Sequence, residues 1–142
     1  HMVGKLQTNK VKFVLPLFDF IHSLDSLKLA KKISEEQKKY ENKPKIFIQI
    51  NIGNEPQKSG IDKSKITEFY YECIDLGLNI VGTMCLPPID NDPSVYFLEM
   101  KKITEILNLK DISMGMSEDY LKAIEHSSTY LRIGSKIFGA RI

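Results

Sequence analysis

The run KIFIQINI at Lys45–Ile52 is β-branched and apolar at even and odd positions alike. A strand with one wet face alternates; a strand without alternation is covered on both faces. The pattern recurs in LFDFIHSL (Leu17–Leu24), LNIVGTMCL (Leu78–Leu86), LKDISMG (109–115) and TYLRIG (129–134), which read as further strands. Segments of helical period lie between them. Asp25 or Ser26 caps SLKLAKKISEEQKKY, where Leu27, Ala30, Ile33 and Gln37 form one stripe, and Pro44 follows its end. Ile66, Phe69, Tyr70, Cys73 and Ile74 keep helical spacing up to a stop at Gly77. Pro93–Leu107 predicts a helix with proline near its first turn. Ser117–His126 predicts one with a serine cap and two acids in its first turn, and SKIFG a final helical turn. The opening HMVGKLQTNKVKFVLP reads as a loop entering a helix. The order βαβαβαβαβ calls for a parallel α/β sheet with right-handed crossovers. Five strands fit a small open sheet or part of a closed eight-stranded barrel, and in both, ligands sit at the carboxyl ends of the strands.

A length of 142 residues suits one domain, 1–142, without linker, repeat or low-complexity segment. A net charge of +2 gives bulk electrostatics no argument for nucleic acid. No run approaches the length of a membrane span, and no leader opens the chain, so a cytoplasmic protein without a membrane partner is expected. The two cysteines, Cys73 and Cys85, form no CxxC and suit a reducing compartment. His1, His22 and His126 have no ligand spacing, so no metal site is expected.

The residues at the expected strand ends are His22 and Ser23, Asn51, Met84 and Cys85, Ser113 to Met116, and Arg132 to Ser135. Two phrases there stand out, SMGMSEDY (Ser113–Tyr120) and LRIGSKIFGAR (Leu131–Arg141). Each puts small or hydroxyl residues where a strand gives way to a helix. A phosphate wants backbone N–H donors at such a corner and no bulky side chain in the way. Gly134 lets the backbone approach and Ser135 adds a hydroxyl; Ser113, Gly115 and Ser117 offer a similar corner, and Arg132 supplies a permanent cation. Each residue has a structural alternative: a glycine turn, a serine cap, an ion pair for Arg132, a satisfied polar group for Asn51, packing for Met84. His1 and His22 read more readily as bystanders, and Lys58 as a solvated loop lysine.

The phrases VGKLQTNK, HSLDSLKLA, IFIQINIGNEPQKSGI, LNIVGTMCLPP, ISMGMSEDYLKAI and LRIGSKIFGAR occur in the order found in the pyridoxal phosphate homeostasis proteins, the YggS/PROSC family. The chain resembles that family over essentially its whole length. The resemblance implies a TIM-type parallel (β/α) barrel like the N-terminal domain of alanine racemase, here incomplete, with about five of eight βα units. It implies pyridoxal 5′-phosphate (PLP) bound at the carboxyl ends of the strands and a role in intracellular PLP (vitamin B6) balance, without robust enzymatic activity. By resemblance, Ser113 and the Gly134–Ser135 corner are phosphate contacts. Arg132 is the partner of the pyridine nitrogen. Asn51, Ser23, His1 and Met84 match strand-end positions near the cofactor.

Family members begin with roughly eighty more residues, about three βα units, which hold the lysine that binds PLP covalently. No lysine of this sequence matches it; neither Lys5, Lys10 nor Lys58 is assigned that role. The expectation is a PLP or phosphate site that is non-covalent at best, on a chain that self-associates or pairs with a missing N-terminal segment. Alternatives are a PLP-dependent racemase-like enzyme, a half-barrel interaction module that binds no cofactor, and a different phosphate-ligand α/β protein.

Overall fold

The computed structural model describes residues 1–140; Arg141, the last residue of the LRIGSKIFGAR phrase, and Ile142 lie outside the described residues. Four parallel strands form one sheet in sequential order: β1 (Phe20–Leu24), β2 (Lys45–Ile50), β3 (Asn79–Cys85) and β4 (Asp111–Ser113). The longer helices α2 (Leu27–Gln37), α3 (Ile66–Asp75) and α4 (Pro93–Ile106) connect them. Sequential parallel order with a helix in each connection is the wall of a (β/α) barrel, here an incomplete one.

The start of α2 follows the expected capping chemistry, with the Ser26 hydroxyl accepting from Leu29 N at 3.2 Å. Pro93 occupies the first turn of α4, where the missing N–H costs nothing. The opening stretch is a loop, then a single 3-10 turn (Thr8–Lys10) leading into the short α1 (Val11–Val14).

Three expectations need correction. The helix expected from Ser117 is α5, Tyr120–Glu125, and Ser117 does not cap it. Its hydroxyl instead accepts from Lys136 N at 3.2 Å. Residues 117–119 form turns, with the Asp119 carboxylate bound to Met116 N at 2.7 Å. The fifth strand, expected over 129–134, contributes one bridge, Ser113 to Tyr130, before the chain enters α6 (Ser135–Phe138). β1 is also shorter than expected; Leu17, at 75% exposed, lies outside it.

The sheet is apolar on both faces, as its lack of alternation requires. Ile21, Ile46, Ile48, Ile50, Cys85 and Ile112 pack with Leu29, Ile33, Phe69, Phe97 and Met100 of the helices in one core. Phe47 and Met84 are just as buried but lie outside that cluster, on the other face, where Phe47 stacks with His22. The candidate site grows from this second face.

Candidate functional site

β1 pairs Ile21 with Ile46 and then Leu24 with Ile48. It therefore advances three residues while β2 advances two. The extra residue makes a bulge at His22–Ser23, near the end of the strand, and a bulge re-aims side chains. β3 carries its own irregularity, between the pairs Ile46–Ile80 and Phe47–Gly82. A Cβ at Gly82 would lie 2.1 Å from the Asp111 carbonyl oxygen and 2.8 Å from Phe47 Cε1, so only glycine lets β4 and the Phe47 ring close in.

Around these irregularities lies a polar chain in an aromatic wall. The Arg132 Nη1 donates to Ser113 Oγ at 2.6 Å, and its Nη2 donates to the Cys85 carbonyl at 2.8 Å. Ser113 Oγ also lies 2.8 Å from His22 Nδ1, and His22 Nε2 lies 3.1 Å from His1 Nδ1. His22 stacks on Phe47 at 4.3 Å between centroids, and His1 stacks on Phe20 at 4.1 Å. Tyr130 presents its edge to both His22 and Phe47. Burial, then the nearby Arg132 charge, hold His22 well below the usual imidazole range, at about 4. Burial also lowers the Arg132 pKa from its ordinary value, yet a guanidinium keeps its charge in proteins. Among the described residues no carboxylate lies within ion-pair distance of Arg132.

The two corners meet as their composition suggests. Arg132 N donates to the Gly115 carbonyl at 2.9 Å, and Lys136 N donates to Ser117 Oγ. Gly115 has φ +98°, and a Cβ there would meet Ala123 at 2.7 Å, so glycine is required. Gly134 is different: φ is −124°, and no atom of the described residues lies within 4 Å of a Cβ built on it. The amides of Gly134 and Ser135 donate to no acceptor among the described residues.

The expected site residues divide into three groups. Ser113, Arg132 and His1 join one network, with Gly134 and Ser135 two and three residues beyond Arg132. Met84 is buried and pairs with Ser113 across β3 and β4. Ser23 is buried, and its Oγ has no partner among the described residues. Asn51 serves its own loop: its Nδ2 donates to the Glu55 carbonyl at 2.8 Å, and its Oδ1 accepts from Glu55 N at 3.1 Å. Ser113 is fully buried between Arg132 and His22, so a phosphate contact from its hydroxyl requires it to leave one of those partners. Lys58 pairs with Glu55 at 2.7 Å and donates to the Pro87 carbonyl at 3.1 Å, tying two strand-end loops together.

Sequence reasoning passed over His22, which the fold places at the centre. The signal was a histidine inside an apolar strand, LFDFIHSL, where a buried imidazole must find partners. Burial pushes the Cys73 and Cys85 thiols up to about 12, so neither is poised as a thiolate. Among the described residues no three His, Cys, Asp or Glu side chains gather as a metal site would require. Nor is any described helix long and apolar enough to cross a membrane.

Residues 2–142 match the alanine racemase, N-terminal domain, family model. A pyridoxal phosphate homeostasis protein from Aquifex aeolicus is 34% identical over 99% of this chain and 66% of its own length. One from Escherichia coli K12 is 33% identical over 99% of this chain and 64% of its own. The chain thus spans just under two thirds of these relatives. PipY from Synechococcus elongatus, solved with PLP bound, superposes with a TM-score of 0.87 at 28% identity, over 96% of this chain and 68% of PipY.

Proposed function

The chain belongs to the alanine racemase N-terminal-domain family and, within it, to the pyridoxal phosphate homeostasis proteins, and from that premise we propose that it binds PLP non-covalently at the carboxyl ends of its strands, as a carrier and not as an enzyme.

The carrying observation is Arg132. A partly buried guanidinium with no carboxylate in ion-pair contact among the described residues, anchored on a hydroxyl and a carbonyl, keeps N–H donors and positive charge for a ligand, with Asp119 acting on it only through space. The residues around it fit PLP. The Arg132 fork suits an unprotonated pyridine nitrogen. The unengaged amides of Gly134 and Ser135, with the Ser135 hydroxyl, suit phosphate oxygens. The fold demands no glycine at Gly134, and the open space in front of it suits a ligand's close approach. The orphan hydroxyl of Ser23 and the buried Met84 belong to the same strand-end region, and Asn51 shapes the loop that follows β2.

When bound, PLP supplies an aldehyde that amines can capture and a ring that can accept electrons; an arginine at the ring nitrogen weakens the second property. This chain's residues bind and orient. His22 is neutral, and both its ring nitrogens are engaged, so it has no free nitrogen for the proton transfers that racemisation needs. That favours the carrier reading over the racemase one.

The test is an absorbance titration of the chain with PLP, repeated for Arg132→Leu and in the presence of inorganic phosphate. Saturable binding, competition by phosphate and at least about tenfold weaker binding by Arg132→Leu are expected, the scale of one lost charge-assisted hydrogen bond. Absence of saturable binding to the wild-type chain overturns the proposal.

A further inference from the structure

We infer that His22 is a positioning residue of this site: as a neutral imidazole protonated on Nε2, it accepts the Ser113 hydroxyl's hydrogen bond at Nδ1 and so fixes that oxygen as the acceptor for Arg132. The PLP-related part of this inference rests on the function proposed above; the proton arrangement does not.

The assignment follows from counting donors. Ser113 Oγ is fully buried and has two partners, Arg132 Nη1 at 2.6 Å and His22 Nδ1 at 2.8 Å. A guanidinium nitrogen only donates, so the hydroxyl oxygen accepts there. Its own hydrogen then has one partner in reach, His22 Nδ1, which must be unprotonated to receive it. A neutral ring with a bare Nδ1 carries its proton on Nε2, and that nitrogen faces His1 Nδ1 at 3.1 Å. The bonds run one way, from Arg132 through Ser113 and His22 to His1, and each of the three links pairs a donor with an acceptor.

Geometry holds the ring in place. The bulge in β1 turns His22 onto this face, Phe47 stacks on it with 14° between planes, and Tyr130 closes its edge at 76°. The titratable or charged groups facing it are Arg132, the His1 ring and its N-terminal ammonium, and Tyr130, with no carboxylate in ion-pair contact among the described residues. Protonating Nδ1 would give Ser113 Oγ a second donor, leave its hydrogen without an acceptor and set a second cation beside Arg132. The depressed imidazole range reported above agrees with that cost. With the chain intact, the guanidinium has two anchors, Ser113 Oγ and the Cys85 carbonyl. Without His22, the Ser113 hydroxyl can turn its own hydrogen toward Arg132, and one anchor fails.

Three variants and three readouts test this. Long-range nitrogen NMR on the 15N-histidine chain should show His22 as the Nε2–H tautomer, unchanged from pH 8 to about pH 5. The Nδ1–H tautomer, or a midpoint at the ordinary value near 6.5, overturns the inference. Slowed exchange of the Arg132 guanidinium N–H signals should be lost in His22→Phe, which keeps the stack on Phe47, and in Ser113→Ala. His22→Asn, with an amide oxygen near the Nδ1 position, should restore part of it. Retention of slow exchange in a folded His22→Phe also overturns it. PLP affinity should fall about tenfold in His22→Phe, while competition by inorganic phosphate is unchanged. If the wild-type chain shows the tautomer and the slow Arg132 signals but no PLP affinity, the functional reading fails and the proton arrangement stands.

Discussion

Arg132 and His22 were unequally visible in the sequence, and the reason is physical. An arginine at the end of an apolar strand, next to Gly134 and Ser135, carries its chemistry in its immediate neighbours. The role of His22 depends on Ser113, 91 residues away, and no local pattern encodes that contact. Burying a neutral imidazole has a thermodynamic consequence. The folded pKa of about 4 lies below the unfolded value near 6.5, so the unfolded chain binds the extra proton first as pH falls. This contribution to stability is fully present above pH 6.5 and is lost as pH falls through 4. His22→Phe removes it. Denaturant midpoints measured between pH 7 and pH 4 should therefore fall more steeply for wild type than for His22→Phe, by about 3 kcal/mol across the window. Equal slopes would show that His22 is not buried neutral. At Arg132, lysine keeps the charge but not the fork. Arg132→Lys is expected to bind PLP nearly as weakly as Arg132→Leu in the same titration, since the second anchor on the Cys85 carbonyl is lost.

Periodicity marked the elements well wherever a segment's surroundings were complete. β2 and β3 are flanked by strands on both sides and covered by helices, and their apolar runs end close to where the ladders end. The segment at 129–134 has strand-like composition, but it meets β4 at a single bridge and then turns so that Arg132 N reaches Gly115 O. Composition reports propensity; ladder length depends on the neighbouring strand. The bulges at His22–Ser23 and near Gly82 were likewise invisible, because a bulge exists only relative to a partner's register. Gly82 offers a test at this scale. In Gly82→Ala the new methyl meets the backbone of β4 and the Phe47 ring at once. Thermal melts should show a loss of about 2–3 kcal/mol, the scale of overpacking against backbone that cannot yield. The Phe47–His22 stack should loosen with it. A neutral substitution would mean that β3 and β4 are not held this close.

The whole molecule is a sequential parallel wall with two edges; among the described residues, one is met by a bridge at Met2 beside β1 and the other by a bridge at Tyr130, with a bond from Thr129, beside β4. A closed barrel has no edges, and an open one offers unpaired N–H and C=O groups to other chains. Ile137 and Phe138, 67% and 86% exposed, lie just beyond the candidate site and add apolar surface. Concentration-dependent association in sedimentation velocity is the expected outcome, and a monodisperse monomer across the range would count against it. The claim at the centre of the account is a reversible PLP site organised by Arg132 on this wall. Its most direct measurement is PLP titration of the purified chain, followed by borohydride reduction and intact mass. The account predicts saturable binding, removal of PLP by dialysis and an unchanged mass after reduction. No binding would contradict the site. Binding with a mass gain of one reduced phosphopyridoxyl group, mapped to a single lysine, would contradict its non-covalent character.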